Sequence, residues 1–169
     1  MTSVIWIALF LGALLAMEGV AYVTHRYLMH GPLWFLHRSH HVPHTGAFEW
    51  NDLFGLFFAL PSIVLIYFGV RDHWWMLPVG LGMTGYGFVY FMFHDVVVHR
   101  RLPVRGLPQW PYLRRILLAH LAHHRTHGKD GAVSFGFLWA PADLVGTPTP
   151  SSASSNDGHE DTHTSRRTR

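Results

Sequence analysis

A chain of 169 residues has room for one domain and little else. Only 14% of its residues are charged and 49% are apolar, against about 25% charged in an ordinary soluble domain, so the composition is that of a membrane protein. The formal charge of +3 comes without a recognised nucleic-acid motif, and the absence of cysteine excludes iron–sulfur clusters, thiolate zinc sites, c-type haem attachment and disulfides.

Val4 to Thr24 is the first of three segments apolar and long enough to cross a hydrocarbon core of about 30 Å, at about 1.5 Å per helical residue. No Lys or Arg precedes Arg26 and no small-residue cleavage site is clear, so the segment is expected to stay in the protein rather than act as a secretory signal. Glu18 is the one ionisable residue deep in a span, two helical turns before His25. An unpaired carboxylate there is expensive, so Glu18 is expected to bond a ligand histidine or to act as a neutral acid near the site. His25 and His30 follow as H-x4-H, then His37, His40 and His41 as H-x2-H-H.

The second and third spans, Leu53 to Val70 and Trp74 to Phe93, are separated only by Arg71, Asp72 and His73, which predicts a tight hairpin. Gly80, Gly82, Gly85 and Gly87 on the third span are expected to let helices approach closely, and its aromatics read as ordinary membrane packing rather than a substrate channel. His94 and His99 then repeat H-x4-H, and His120, His123 and His124 repeat H-x2-H-H. Arg114 to Ala122 reads as a cytoplasmic cap helix and Ala132 to Val145 as an interfacial or re-entrant segment, with a short fourth span as the alternative. From Gly146 onward the composition cannot bury a core, which predicts a membrane domain over 1–145 and a disordered tail over 146–169. An H-E-x-x-H run, His159 to His163, falls in that tail without an apolar helix to hold both histidines on one face, and is read as a chance match.

Two copies of one histidine pattern in the same order point to a two-metal site. Neutral imidazole is the commonest metal ligand and suits iron, zinc, copper or nickel. Histidines at i, i+3 and i+4 share one face of a helix. A pair at i and i+5 lies about 140° apart on an α-helix, so its convergence requires a helix end, a kink or a π-bulge. A bis-histidine haem leaves the doublets His40/His41 and His123/His124 unexplained, and a zinc hydrolase needs fewer ligands. Arg26 and Arg38 flank the first histidine clusters, and Arg100, Arg101, Arg105, Arg114, Arg115, Arg125 and Lys129 follow the third span. The positive-inside rule therefore places both histidine-rich regions on the cytoplasmic side, with the basic residues facing an anionic membrane surface.

The segments HRYLMH, HRSHH, NDLF, GYGFVYFMFHDVVVH, AHLAHH and GKDGAVSFGFLWAP resemble the bacterial β-carotene 3-hydroxylases, a branch of the fatty acid hydroxylase superfamily of membrane di-iron enzymes, over about Trp6 to Pro141. The resemblance implies an all-α integral membrane protein, a bundle of three to four transmembrane helices with a cytoplasmic histidine-rich di-metal cap. It implies two iron ions held by His25, His30, His37, His40, His41, His94, His99, His120, His123 and His124, with Glu18 and Asp95 as supporting residues beside the motifs. Asp52 is a weaker candidate of that kind, and His44, His73 and His127 fall outside the pattern. The implied reaction is O2-dependent hydroxylation of β-carotene through β-cryptoxanthin to zeaxanthin, or of canthaxanthin to astaxanthin, with electrons from reduced ferredoxin. The implied location is the bacterial inner membrane, with carotenoid, lipid bilayer and a ferredoxin-type donor as partners and no nucleic acid. A fatty acyl or sterol hydroxylase or desaturase of the same superfamily is the alternative. A membrane metal carrier or sensor, from a different class, predicts ionisable residues running through the spans.

Overall fold

The computed structural model describes residues 2–42, 46, 48–103, 106 and 108–141. The expected tail, the H-E-x-x-H run, His44, Arg105 and residues 142–145 lie outside the described residues. Within them all regular structure is helical. Helix α1 (Thr2–Val23) runs on as a π-helical segment, π1 (Thr24–Met29); α2 (Trp34–His41) and α3 (Asp52–Gly69) follow; α4 (Met76–Tyr90) runs on as π2 (Phe91–Val98); α5 (Pro111–His124) is last.

Three helices are long and apolar enough to cross a membrane, Ser3–Met29, Asp52–Gly69 and Met76–Val98. The second matches expectation within a residue. The first and third run five residues past their expected ends, because hydropathy falls at the first histidine while the helical backbone continues through it. Burial is inverted relative to a soluble protein. Val4 is 72% and Leu15 66% exposed, whereas His37 and His94 are each 2% exposed and His123 is fully buried. Lipid is the solvent that accepts such an exterior, since hydrocarbon tails are as apolar as leucine.

Helix α4 packs between α1 and α3. A Cβ on Gly80 would come within 2.9 Å of Ile66 Cγ1 in α3, and one on Gly82 within 2.4 Å of the Phe10 carbonyl oxygen in α1, so these two glycines set the close approach. The other two do less. A Cβ on Gly85 would make ordinary contact with Leu14, and one on Gly87 would meet nothing within 4 Å. Ser62 of α3 and Thr84 of α4 both donate to the Gly80 carbonyl at 2.9 Å, a polar link between helices inside the membrane.

Helix α5 lies as a cap, with buried Ile116 and Ala119 packed against Ala140 and Phe93. No fourth span occurs among the described residues. Residues 125–141 form instead an irregular strap over the histidines, turning at Gly131, whose φ of +86° suits a residue without a Cβ. Irregular backbone at membrane depth needs partners for its N–H groups. Glu18 provides them: its Oε1 accepts from the N–H of Phe137 at 2.7 Å, Leu138 at 2.8 Å and Trp139 at 3.1 Å, while its Oε2 accepts from the Tyr86 hydroxyl at 2.8 Å. The expected bond from Glu18 to a histidine is therefore not made; the carboxylate is satisfied by the strap.

Candidate metal centre

Both H-x4-H pairs are brought together by π-helical turns. His30 N–H donates to the His25 carbonyl at 3.0 Å, and His99 N–H donates to the His94 carbonyl at 2.9 Å. The i to i+5 spacing of the motif is thus the spacing of its own backbone hydrogen bond, which stacks the two side chains one turn apart. Gly31 is required behind the first turn, because a Cβ there would come within 1.9 Å of the Tyr27 carbonyl oxygen.

All ten histidines fall into two groups of five, His25, His30, His37, His41 and His123 in the first and His40, His94, His99, His120 and His124 in the second. One ligand nitrogen from each residue lies within 4.8 Å of the others in its group. Each H-x2-H-H run is divided: its i and i+4 members join one group and its i+3 member crosses to the other. His73 and His127 stand outside both groups.

The facing atoms are Nε2 throughout. In the first group His25 and His37, His37 and His41, and His30 and His123 are separated by 3.1 Å; in the second His40 and His94 are at 3.0 Å and His120 and His124 at 2.9 Å. Two nitrogens at right angles on a metal, each about 2.1 Å from it, lie about 3 Å apart.

The outer nitrogens decide what occupies that space. His25 Nδ1 donates to the Phe135 carbonyl at 3.0 Å, His30 to Lys129 at 2.9 Å, His41 to Thr126 at 2.8 Å and His123 to Val133 at 2.8 Å. His37 Nδ1 donates to Asn51 Oδ1 at 2.6 Å. A neutral imidazole with its proton on Nδ1 turns a lone pair inward at Nε2. Five converging lone pairs repel one another unless a cation lies between them, so the donor set fits a metal ion.

The protonation states agree. Burial pulls the His37 and His123 pKa values down to about 3, those of His41 and His99 to about 4 and that of His124 to about 2; His40 and His120 are also held well below 6.5. Loss of hydration is the main cause, with repulsion from neighbouring imidazoles, and at His99 from Arg101, adding to it. Neutral imidazole is the ligating form.

The second group has a different outer layer. His40 Nδ1 donates to Glu49 Oε1 at 2.9 Å, and Asp95 Oδ1 lies 3.6 Å from His94 Nδ1, near but beyond hydrogen-bond range. Asp52 accepts the Glu49 N–H at 3.0 Å and pairs with Arg101 at 2.7 Å rather than touching a histidine. Asn51, Glu49 and Arg101 were not singled out as supporting residues from the sequence. Arg101, expected with the other basic residues to meet an anionic membrane surface, is 26% exposed and bound to carboxylates of the chain itself.

On the membrane side the histidines form the end wall of a cavity of about 650 Å³, to which the first group contributes His25 and His37 and the second His94 and His120. Phe54 and Phe58 of α3 and Phe88 and Tyr90 of α4 line it, so Phe88 and Tyr90, third-span aromatics expected to serve ordinary packing, instead help to enclose a void. Gly55 and Gly87 leave it wide, since a Cβ on either would meet nothing within 4 Å. A smaller cleft of about 280 Å³, lined by His40, His41, His99, His124 and His127, shares no residue with the first.

Comparison with known proteins agrees with this architecture. The fatty acid hydroxylase family matches residues 10–147. A β-carotene hydroxylase of Pantoea ananas is 50% identical over 138 residues, covering 81% of this chain and 79% of that one. Those of Pseudescherichia vulneris and Paracoccus sp. (strain PC1) are 49% and 48% identical, over 78% and 75% of this chain and 76% and 79% of theirs. No solved structure matches the chain. With ten histidines in two five-nitrogen groups at the end of a membrane bundle, the chain belongs to the fatty acid hydroxylase family, and among its members it stands with the β-carotene hydroxylases.

Proposed function

We propose that the chain is an O2-dependent carotenoid β-ring 3-hydroxylase that converts β-carotene through β-cryptoxanthin to zeaxanthin, and canthaxanthin to astaxanthin where ketolated rings are present. The observation that carries this reading is the apolar cavity ending on histidines of both groups, in a chain about half identical to three bacterial β-carotene hydroxylases. Iron ions held by the two histidine groups would bind and activate O2, the oxidant that attack on an unactivated C–H bond needs, as redox-inert zinc would not.

The chain's own residues place the substrate. Asp52 and Ile63, both lining the cavity, are eleven residues apart on α3, about 16 Å at ~1.5 Å per residue. That length takes one ring and part of the polyene and leaves the remainder among lipid tails. Phe54, Phe58 and Phe88 exclude water around the ring. Among the described residues, the charged lining residues Asp52, Asp95 and Arg101 occur at the histidine end, so the cavity gives no support to the carrier reading. The asymmetry of basic residues supports a cytoplasmic metal centre in the bacterial inner membrane, where a reduced ferredoxin-type donor reaches it.

Expression in β-carotene-producing cells followed by pigment chromatography tests the reading. β-Cryptoxanthin and zeaxanthin are the expected products, and anaerobically purified protein is expected to hold two irons. Inserted, iron-loaded protein that leaves β-carotene unchanged would overturn it, and new hydroxylated lipids in the same cells would favour the fatty acyl or sterol alternative.

A further inference from the structure

Arg101 gathers three carboxylates beside the second histidine group. Its Nη2 contacts Glu49 Oε1 and lies 2.7 Å from Asp52 Oδ1, and its Nε lies 3.2 Å from Asp95 Oδ1. The backbone turns to allow this: Arg100 takes a φ of 52°, and Arg101 N–H donates to the Asp95 carbonyl at 2.9 Å. Glu49 and Asp95 are 8% and 13% exposed, and carboxylates brought together at such burial repel unless a cation lies between them. These same two stand next to metal-group imidazoles, Glu49 at His40 and Asp95 at His94. In the first group, by contrast, the outer hydrogen-bond partners among the described residues are four main-chain carbonyls and the neutral Asn51.

We propose that Arg101 is a positioning residue that holds Glu49 against His40 and Asp95 beside His94, so that the two metal ions are inequivalent: a histidine group with carboxylates beside it holds one, and a group backed by neutral carbonyl groups holds the other. The proposal rests on the two-metal reading above. A planar guanidinium can engage the three carboxylates at once in fixed directions, whereas a lysine ammonium is a point charge on a flexible stem.

The test is anaerobic Co(II) titration of the full-length protein, read by elemental analysis and by the visible absorption of bound Co(II), for the wild type, Arg101→Gln and Arg101→Lys. The wild type is expected to bind two ions. In Arg101→Gln one ion should bind as before while the other weakens about 10- to 100-fold, the range for loss of an outer partner, with a change in the spectrum of that ion alone. Arg101→Lys should recover part of the loss. Two ions bound with wild-type affinity and spectrum, or equal weakening of both, overturns the proposal. If Arg101→Gln fails to accumulate in membranes, Arg101→Lys decides by the same criteria, with selective weakening of one ion as the supporting result. A wild type that binds fewer than two ions defeats the two-metal reading instead.

Discussion

His40 and His123 sit in each other's half of the metal centre. Each is the i+3 member of an H-x2-H-H run; His40 leaves α2's group to stand 3.0 Å from His94, and His123 leaves α5's group to stand 3.1 Å from His30. Neither group is complete without a residue from the other repeat.

His123→Ala, though on α5, should therefore remove a nitrogen from the group built by π1 and α2, and His40→Ala one from the group built by π2 and α5. Both are expected to abolish zeaxanthin formation and to lower metal content, whereas His159→Ala and His163→Ala leave both unchanged. Pigment chromatography and elemental analysis check this, and full activity in His123→Ala would contradict the crossing.

Glu18 should act through stability. Glu18→Leu leaves three N–H groups of the strap and the Tyr86 hydroxyl without their acceptor, at about 1–3 kcal/mol for each buried group left unpaired. Glu18→Gln keeps one acceptor oxygen and should lose much less. Thermal unfolding in detergent, with membrane expression matched, is the measurement. A Leu variant as stable as the wild type would show that the strap is held by other means.

Gly87→Leu places a side chain into the cavity without meeting a neighbour within 4 Å of its Cβ. The expected result is a fall in β-carotene turnover on the order of tenfold or more, the scale on which an apolar pocket discriminates by size, with both metals retained. Unchanged turnover would mean that the substrate does not occupy this void.

Acid should release the metals. Imidazoles in the unfolded chain ionise near 6.5, whereas burial holds His37 and His123 near 3 and His41 and His99 near 4. Folded values below the unfolded one mean that the neutral cluster's contribution is fully present above about 6.5 and declines as pH falls from there toward about 3, because the unfolded chain takes up protons that the folded one excludes. Metal content and thermal stability are expected to fall together across that window, more steeply than for one proton. Constant metal content down to pH 4 would rule this out.

The spans and the ten histidines were legible because hydropathy and ligand spacing are local properties of the chain. The choice of a π turn over a kink or helix end was not, since all three reconcile an i, i+5 pair. The crossing of His40 and His123 depends on how two distant repeats pack. The carbonyls of Thr126, Lys129, Val133 and Phe135 carry no sequence signal at all, because every residue has one. Glu49, Asp52, Asp95 and Arg101 did carry one: four charges adjoining the spans of a charge-poor chain, with their pairing visible only in three dimensions.

The divided histidine runs also bear on how the chain closes. Ions at these positions join residues 93 and 54 apart, His30 to His123 and His40 to His94, as disulfides do in proteins that have cysteine. Such links restrict the unfolded ensemble most when the loop they close is long. Metal ions held at these groups would thus act as covalent-like stitches between the two repeats. Chelation should accordingly free α5 and the strap to proteases while the inserted helices stay in place.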